Sequence, residues 1–328
     1  MAVIPGWSTG APNTSLLTTY LIKKFIPALE DELQYQKFTT KATLPGGMGN
    51  IARWNVFNSP AAMVTPLVEG TTTGNVITTL TTTATDATIA EYGEFMHVTK
   101  LMDYCQVSGS RSELSDRMAY GAARSIDSLV RAQALATTTA RYTLDTVAGA
   151  TATVTAGSAP LFNGSAAALV HCGAALRGNS ARGFKGIAGH PDGAFAAILT
   201  PTFEQDMVQE ATAGRMTWAQ AVTQVPGTLG QEKWVNGYMG SVYGTACYRT
   251  QNFTLTTITV STENNYLLSE GGLGALGIGD ASPQVFVNTA SSGDVGNPYR
   301  NQNTIAWHAF FATKIIDVNR VIRLYSLA

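Results

Sequence analysis

The chain has 328 residues, 45% of them apolar, and a net charge of −1, so it is long enough for one large domain or two and can build a sizeable core. Only 13% of its residues are charged, about half of the roughly 25% usual in soluble domains, as expected of a chain that covers much of its surface with copies of itself. The near-zero balance excludes a global basic field for nucleic acid, no apolar run approaches the ~20 residues of a membrane helix, and residues 1–10 lack the basic and apolar regions of a signal peptide.

Residues 1–15 are rich in Pro, Gly, Ser and Thr and hold no charge, so this tail is expected to order only against a partner. Leu21, Phe25, Leu29 and Leu33, four apart, predict a helix over Thr18–Lys37, kinked at Pro27. From Lys41 to Leu101 the chain is almost uncharged and extended. Ten of the eighteen residues Thr71–Thr88 are threonine, whose restricted χ1 favours strands. Pro60, Pro66, Gly70 and Gly74 punctuate the middle. This predicts a long two-stranded arm with its tip at residues 60–74. Such an arm has little core of its own and finds its partner on another chain, since a lone hairpin is only marginally stable.

Ser110-Arg111-Ser112-Glu113 matches a capping box. Leu114, Met118, Ala122, Ile126, Leu129 and Val130 then hold one face of a helix through about Ala140, and Arg117, Arg124 and Arg131 mark another. Residues 143–163 read as short strands or loop. Small-residue helices are expected over Ala166–Arg177, ended by Gly178, and over Phe203–Ala213 after Pro201. Strands follow at Trp234–Tyr238, Val242–Tyr248, Phe253–Val260 and Tyr266–Leu268. At the far end Ile305, Trp307, Ala309, Phe311 and Thr313 alternate at period two. A turn at Asp317-Val318-Asn319 leads into Val321–Tyr325, predicting a terminal hairpin.

Little here carries chemistry. Gly272-x-Gly274-x-x-Gly277 matches the dinucleotide fingerprint, but that motif needs a helix next, and Gly279, Asp280, Pro283 and the strand-like Val285-Phe286-Val287 follow instead. His97, His171, His190 and His308 form no ligand pair, and Asp103, Asp116 and Asp127 form no carboxylate pair. Cys105, Cys172 and Cys247 are odd in number and dispersed, so they read as buried thiols of a reducing compartment, without disulfides. No catalytic, cofactor-binding or metal-binding residue is assigned, no cofactor is expected, and the chain is not read as an enzyme.

The order of a polar arm, a helix, a long β extension, Glu91-Tyr92-Gly93 leading to Val98-Thr99 and a long helix is followed by Asn301-Gln302-x-x-x-Ile305-x-Trp307-x-Ala309-Phe310-Phe311-Ala312-x-Lys314-Ile315 before Arg320-Val321-Ile322-Arg323. This resembles the major capsid proteins of tailed double-stranded DNA bacteriophages, in particular the branch exemplified by the podophage N-four. The resemblance implies an α+β chain of the Hong-Kong-type tailed-phage capsid fold. Residues 1–40 would be the N-arm and its helix, and 41–87 the extended β loop. Residues 88–142 and 304–328 would form the peripheral domain with a long spine helix, and 143–303 the axial domain. It implies a coat protein that self-assembles, as hexameric and pentameric capsomers, into the icosahedral head of the virion, made in the bacterial host cytoplasm. The implied partners are further copies of itself, a separate scaffolding protein, a portal, a decoration protein and non-specifically contacted packaged DNA; no membrane is involved. Relatives that cross-link through a loop lysine differ, because no lysine lies between Ala42 and Thr99. Three alternatives are an encapsulin-like compartment of the same fold, a phage tail or decoration protein, and an enzyme with a nucleotide site at 272–277.

Overall fold

The computed structural model describes residues 34–47, 49–57, 81–99, 101, 105, 110–142, 166–178, 195–209, 237–242, 244–257, 261–278, 284–288, 299 and 301–327. The expected tail over 1–15, most of the helix over 18–37, the arm tip at 60–74, the strand start at Trp234 and His190 lie outside them.

Two large sheets, a two-stranded ribbon, three α-helices and two 3-10 turns make up this part. Strands β1 (Thr40–Leu44), β4 (Ala90–Thr99), β11 (Leu273–Ile278), β12 (Gln284–Asn288) and β13 (Gln302–Ile315) form a five-stranded sheet. Strands β5 (Ala140–Tyr142), β6 (Phe195–Leu199), β7 (Tyr238–Val242), β8 (Thr245–Arg249), β9 (Leu255–Thr257), β10 (Ser261–Leu268) and β14 (Val321–Leu327) form a seven-stranded one. Strands β2 (Ile51–Phe57) and β3 (Thr82–Thr88) pair with each other as a separate ribbon. Helices are α1 (Ser110–Leu135), α2 (Ala166–Gly178) and α3 (Pro201–Gln209).

Strand β13 organises the first sheet. Its period-two pattern buries Ile305, Trp307, Ala309 and Phe311 on one face. Met118, Ala122, Ile126 and Val130 of α1 pack there, with Leu114 and Leu129 at the margin. The helical face read from the sequence therefore meets the predicted strand. The opposite face of β13, at Phe310 and Ala312, is covered by Ala52, Trp54, Ala87 and Ile89 from the root of the ribbon.

The seven-stranded sheet is covered on both sides, so β6 (Phe-Ala-Ala-Ile-Leu) is buried at every position. One face, through Ala196, Ile198 and Tyr266, joins the α1 core. The other, through Phe195, Ala197, Leu267, Ile322 and Leu324, packs under Leu169 and Leu176 of α2 and Phe203 and Met207 of α3. Helix α3 starts where Thr200 accepts the Phe203 N–H on its hydroxyl, with Pro201 following at the first helical position.

Three expectations change. Strands β13 and β14 do not form a hairpin: β13 pairs with β4, β11 and β12, whereas β14 pairs with β10 and β5. Tight hairpins favour two-residue turns of reversed hand. Here Asp317 instead caps a 3-10 turn at Val318–Arg320, accepting the Asn319 N–H at 3.1 Å, and the chain crosses to the other sheet. The neighbouring connection from β10 to β11 crosses at the same corner. The two are tied by Ser269 N–H to the Arg320 carbonyl (3.0 Å) and Ile316 N–H to the Gly272 carbonyl (2.9 Å).

The glycines of the fingerprint have places in the body of the fold. Gly272 sits at that corner, where an added Cβ would lie 2.9 Å from the Arg320 carbonyl oxygen. Gly274 and Gly277 lie inside β11, which is paired on both sides, with β1 and with β13. Second, Lys41–Leu44, expected in the extended loop, is a strand of the body running parallel to β11. Third, Cys105 is exposed, whereas Cys172 and Cys247 are buried as expected; none of the three forms a disulfide. Burial pushes the Cys247 thiol well above the usual range.

Candidate assembly surfaces

The β2–β3 ribbon is in register from Ile51 opposite Thr88 to Phe57 opposite Thr82, and no third strand joins it among the described residues. Alternation divides it into two faces. Ala52, Trp54 and Val56 are half-buried on the body side, while Ile51, Arg53, Asn55 and Phe57 are exposed. Ile51 and Phe57 are 56% and 60% exposed, an unusual cost for a free surface. On that same face Arg53 grips Asp86 across the ladder with two bonds, at 2.6 and 2.7 Å. The guanidinium holds the Asp86 carboxyl below its usual range.

The ribbon is anchored at its root. The Trp54 indole lies against Gly274 of β11, where a Cβ would approach its ring to 3.0 Å and Ile316 to 2.9 Å. The Ile89 N–H donates to the Asn50 carbonyl at 2.8 Å, closing the base. The missing side chain of Gly274 thus makes the seat for the indole.

Next to the root, the outer face of the five-stranded sheet is apolar and open. Phe95 of β4 and Phe286 of β12 flank Ala306 in one cross-strand row and are 63% and 47% exposed. His97 stacks edge-on to Phe95 at 5.0 Å, and His308 to Phe310 at 4.5 Å. His308 Nε2 also meets the Glu91 carboxylate at 2.7 Å. Two of the four sequence histidines therefore share this face, and His171 lies on α2. Among the described residues no group of three potential metal ligands converges.

Where the chain enters the body, Tyr35–Phe38 form a 3-10 turn. Tyr35 is fully buried, its ring edge-on to Tyr266 at 5.7 Å, and Phe38 packs on Tyr248 at 4.7 Å. The turn is held by α1. The Asp127 Oδ1 accepts the backbone N–H of Gln34, Tyr35 and Gln36 at 3.1, 2.7 and 3.3 Å, and Oδ2 accepts from the Asn252 amide at 3.2 Å. Asp127 is only 1% exposed. Burial raises its pKa above the ordinary carboxylate value, while the Asn252 amide and the three N–H groups pull the other way.

No family model matches this sequence, and no curated protein matches it. Solved structures do. A capsid of Ralstonia phage GP4 superposes with a TM-score of 0.67 over 92% of this chain and 90% of that one, at 12% identity. The capsid structure of cyanophage P-SCSP1u gives 0.58 over 90% and 88%, also at 12% identity. A virus-like particle from Pyrococcus furiosus gives 0.51 over 94% and 99%, at 10% identity. The chain has the tailed-phage capsid fold. At these identities the likeness is one of architecture.

Within this capsid fold, the sequence missed what Asp127 does. The signal was present: Asp127 stands between Ile126 and Val130 on the apolar stripe of α1, where an acid has no place unless it is satisfied. The regular spacing of Arg117, Arg124 and Arg131 also hid a difference. Arg131 turns in to donate to the Asn252 side-chain oxygen (2.5 Å) and the Phe253 carbonyl (3.1 Å), whereas Arg124 stays exposed.

Proposed function

We propose that this protein is the major capsid protein of a tailed phage, many copies of which close into an icosahedral head around a double-stranded DNA genome. The observation that carries the reading is the shared fold along some nine-tenths of both chains, with a ribbon that projects apolar side chains and is joined by no third strand among the described residues. Weak contacts suffice in such a shell, because each subunit engages several neighbours at once. The reading divides the chain into N-arm (residues 1–40), extended loop (41–87, whose first residues, Lys41–Leu44, pair with β11 in the body), peripheral domain (88–142 and 304–328) and axial domain (143–303), with hexameric and pentameric capsomers. Scaffolding, portal and decoration proteins are its expected partners, the host cytoplasm its place of synthesis and the virion its destination. No catalytic role is proposed.

Purified protein, expressed alone and with its genomic neighbours, should form closed icosahedral particles in electron micrographs. Only monomers or open fibres would contradict the reading. Particles loaded with an enzyme instead of nucleic acid would convert it to a cargo compartment of the same fold.

A further inference from the structure

Beside the socket for the Tyr35 turn, an open cleft of about 530 Å³ lies between the middle of α1 and the segment that follows β8. Its walls carry Gln34, Tyr120, Arg124, Arg249, Gln251 and Asn252, and Asp127 lines it from α1. The Asp127 charge is already engaged, by three backbone N–H groups and the Asn252 amide. The two guanidiniums are not matched in the same way. Arg249 is half exposed and reaches the Glu204 carboxylate at 3.5 Å. Arg124 is exposed and has no hydrogen bond or ion pair among the described residues. Tyr120, one turn away on α1 and 47% exposed, shares the cleft. The cleft therefore carries two arginine forks and two nearby carboxylates: Asp127 in its wall, already engaged by four N–H donors, and Glu204 outside its lining, 3.5 Å from Arg249.

A planar guanidinium recognises oxyanions through paired N–H donors. One fork saturates a carboxylate. Two forks on an open cleft suit an anion with three or four oxygens. We propose that this cleft binds a phosphate group, with Arg124 and Arg249 as its charged ligands and the Gln251 and Asn252 amides beside them. The group is either inorganic phosphate or a phosphodiester of the nucleic-acid backbone. That it belongs to nucleic acid rests on the capsid reading; that the cleft takes phosphate does not. It would place the exposed side of α1 against the packaged strand, as a local phosphate contact in a chain with no global basic field.

The test uses the full-length protein. Binding of inorganic phosphate is followed by calorimetry, and binding of a labelled 20-base-pair duplex by fluorescence anisotropy over a salt series. The proteins are the wild type, Arg124→Gln, Arg249→Gln, the double variant, and Lys41→Gln, which removes one exposed charge on the other sheet. Each arginine change should weaken phosphate and duplex about tenfold and lower the slope of log affinity against log salt by about one. Lys41→Gln should leave phosphate binding unchanged. Phosphate binding that depends on both arginines, with duplex affinity unmoved, supports the site and removes nucleic acid as its source. Absence of phosphate and duplex binding in the wild type, or equal losses in Lys41→Gln, overturns the proposal. So does failure of the arginine variants to close shells without any phosphate binding, which would assign the cleft to a carboxylate of a neighbouring copy. Micrographs of the same samples separate this result from failure of the capsid reading, which would show as an absence of closed particles in the wild type.

Discussion

The Asp127 carboxylate receives the Tyr35 backbone N–H at 2.7 Å across 92 positions of sequence. It fixes where the N-terminal segment meets α1. Replacing it by alanine leaves three backbone donors without their acceptor beside a fully buried tyrosine. Asp127→Ala should cost about 2–4 kcal/mol, read from urea denaturation. Cleavage by a non-specific protease around residues 34–38 should accelerate in parallel. Unchanged stability with unchanged cleavage would remove Asp127 as the anchor.

The same carboxylate gives a pH signature with a definite sign. Because burial lifts its folded value above the ordinary 3.8, the folded state holds the proton more tightly than the unfolded state does. This contribution is therefore fully present at acid pH and is lost as pH rises from 3.8 through the folded value. Asp127→Asn removes that titration. The melting temperature of the wild type minus that of Asp127→Asn should fall as pH rises through this window. A difference that grows with pH would mean that the hydrogen bonds outweigh burial.

Trp54 on Gly274 is the joint between ribbon and body. Gly274→Val places branched carbons where the indole ring and Ile316 already sit, and crowding of this kind costs about 1–3 kcal/mol. The indole should become more accessible to acrylamide quenching, and particle yield should fall more than the stability loss alone predicts. Wild-type quenching and yield in Gly274→Val would show that the seat is dispensable.

Ile126 and Leu129 distinguish core from margin on α1. Ile126 is 2% exposed, whereas Leu129 is partly buried at the edge of the same cluster. Ile126→Asp should prevent folding to soluble protein, because an unpaired charge would lie under β13. Leu129→Asp should cost less, about 1–2 kcal/mol, and remain soluble. Equal behaviour of the two would argue against the packing of α1 on β13.

Thiol reactivity follows from burial. In the unassembled native subunit one cysteine, Cys105, should react rapidly with an aromatic disulfide reagent, and all three after unfolding. Cys172 and Cys247 are shielded. Non-reduced particles should run on denaturing gels at the 34.6 kDa monomer, and a ladder of multimers would show covalent links between subunits.

Much of the fold was legible because local pattern and tertiary role agree. Period-two alternation located β13, four-residue spacing located the core face of α1, and Pro201 marked the start of α3 to within two residues. What was hidden depends on pairing between distant segments. The Asp317 turn looks like a hairpin because its flanking strands are good strands, yet nothing local says that β14 prefers β10. The glycines at 272, 274 and 277 look like a phosphate loop because one-letter spacing does not reveal whether a glycine makes room for a ligand or for a tryptophan. Lys41–Leu44 has the composition of the arm, and only its parallel register with β11 places it in the body. The Arg124–Arg249 cleft joins residues 125 positions apart and left no local trace.

Strand β13 has a consequence for the timing of synthesis. Every strand it pairs with precedes it in the chain: β4 by some two hundred residues, and β11 and β12 by far fewer. At roughly 5–20 residues per second, on the order of 10–40 s separate the emergence of β4 from that of β13. Until then α1 lacks the surface its apolar stripe covers, and the ribbon lacks the covered face behind its root. A nascent chain therefore cannot present a finished ribbon to its neighbours on a polysome. The subunit becomes competent only after β13 has emerged, so on the capsid reading the concentration of chains that have passed this point sets when assembly begins.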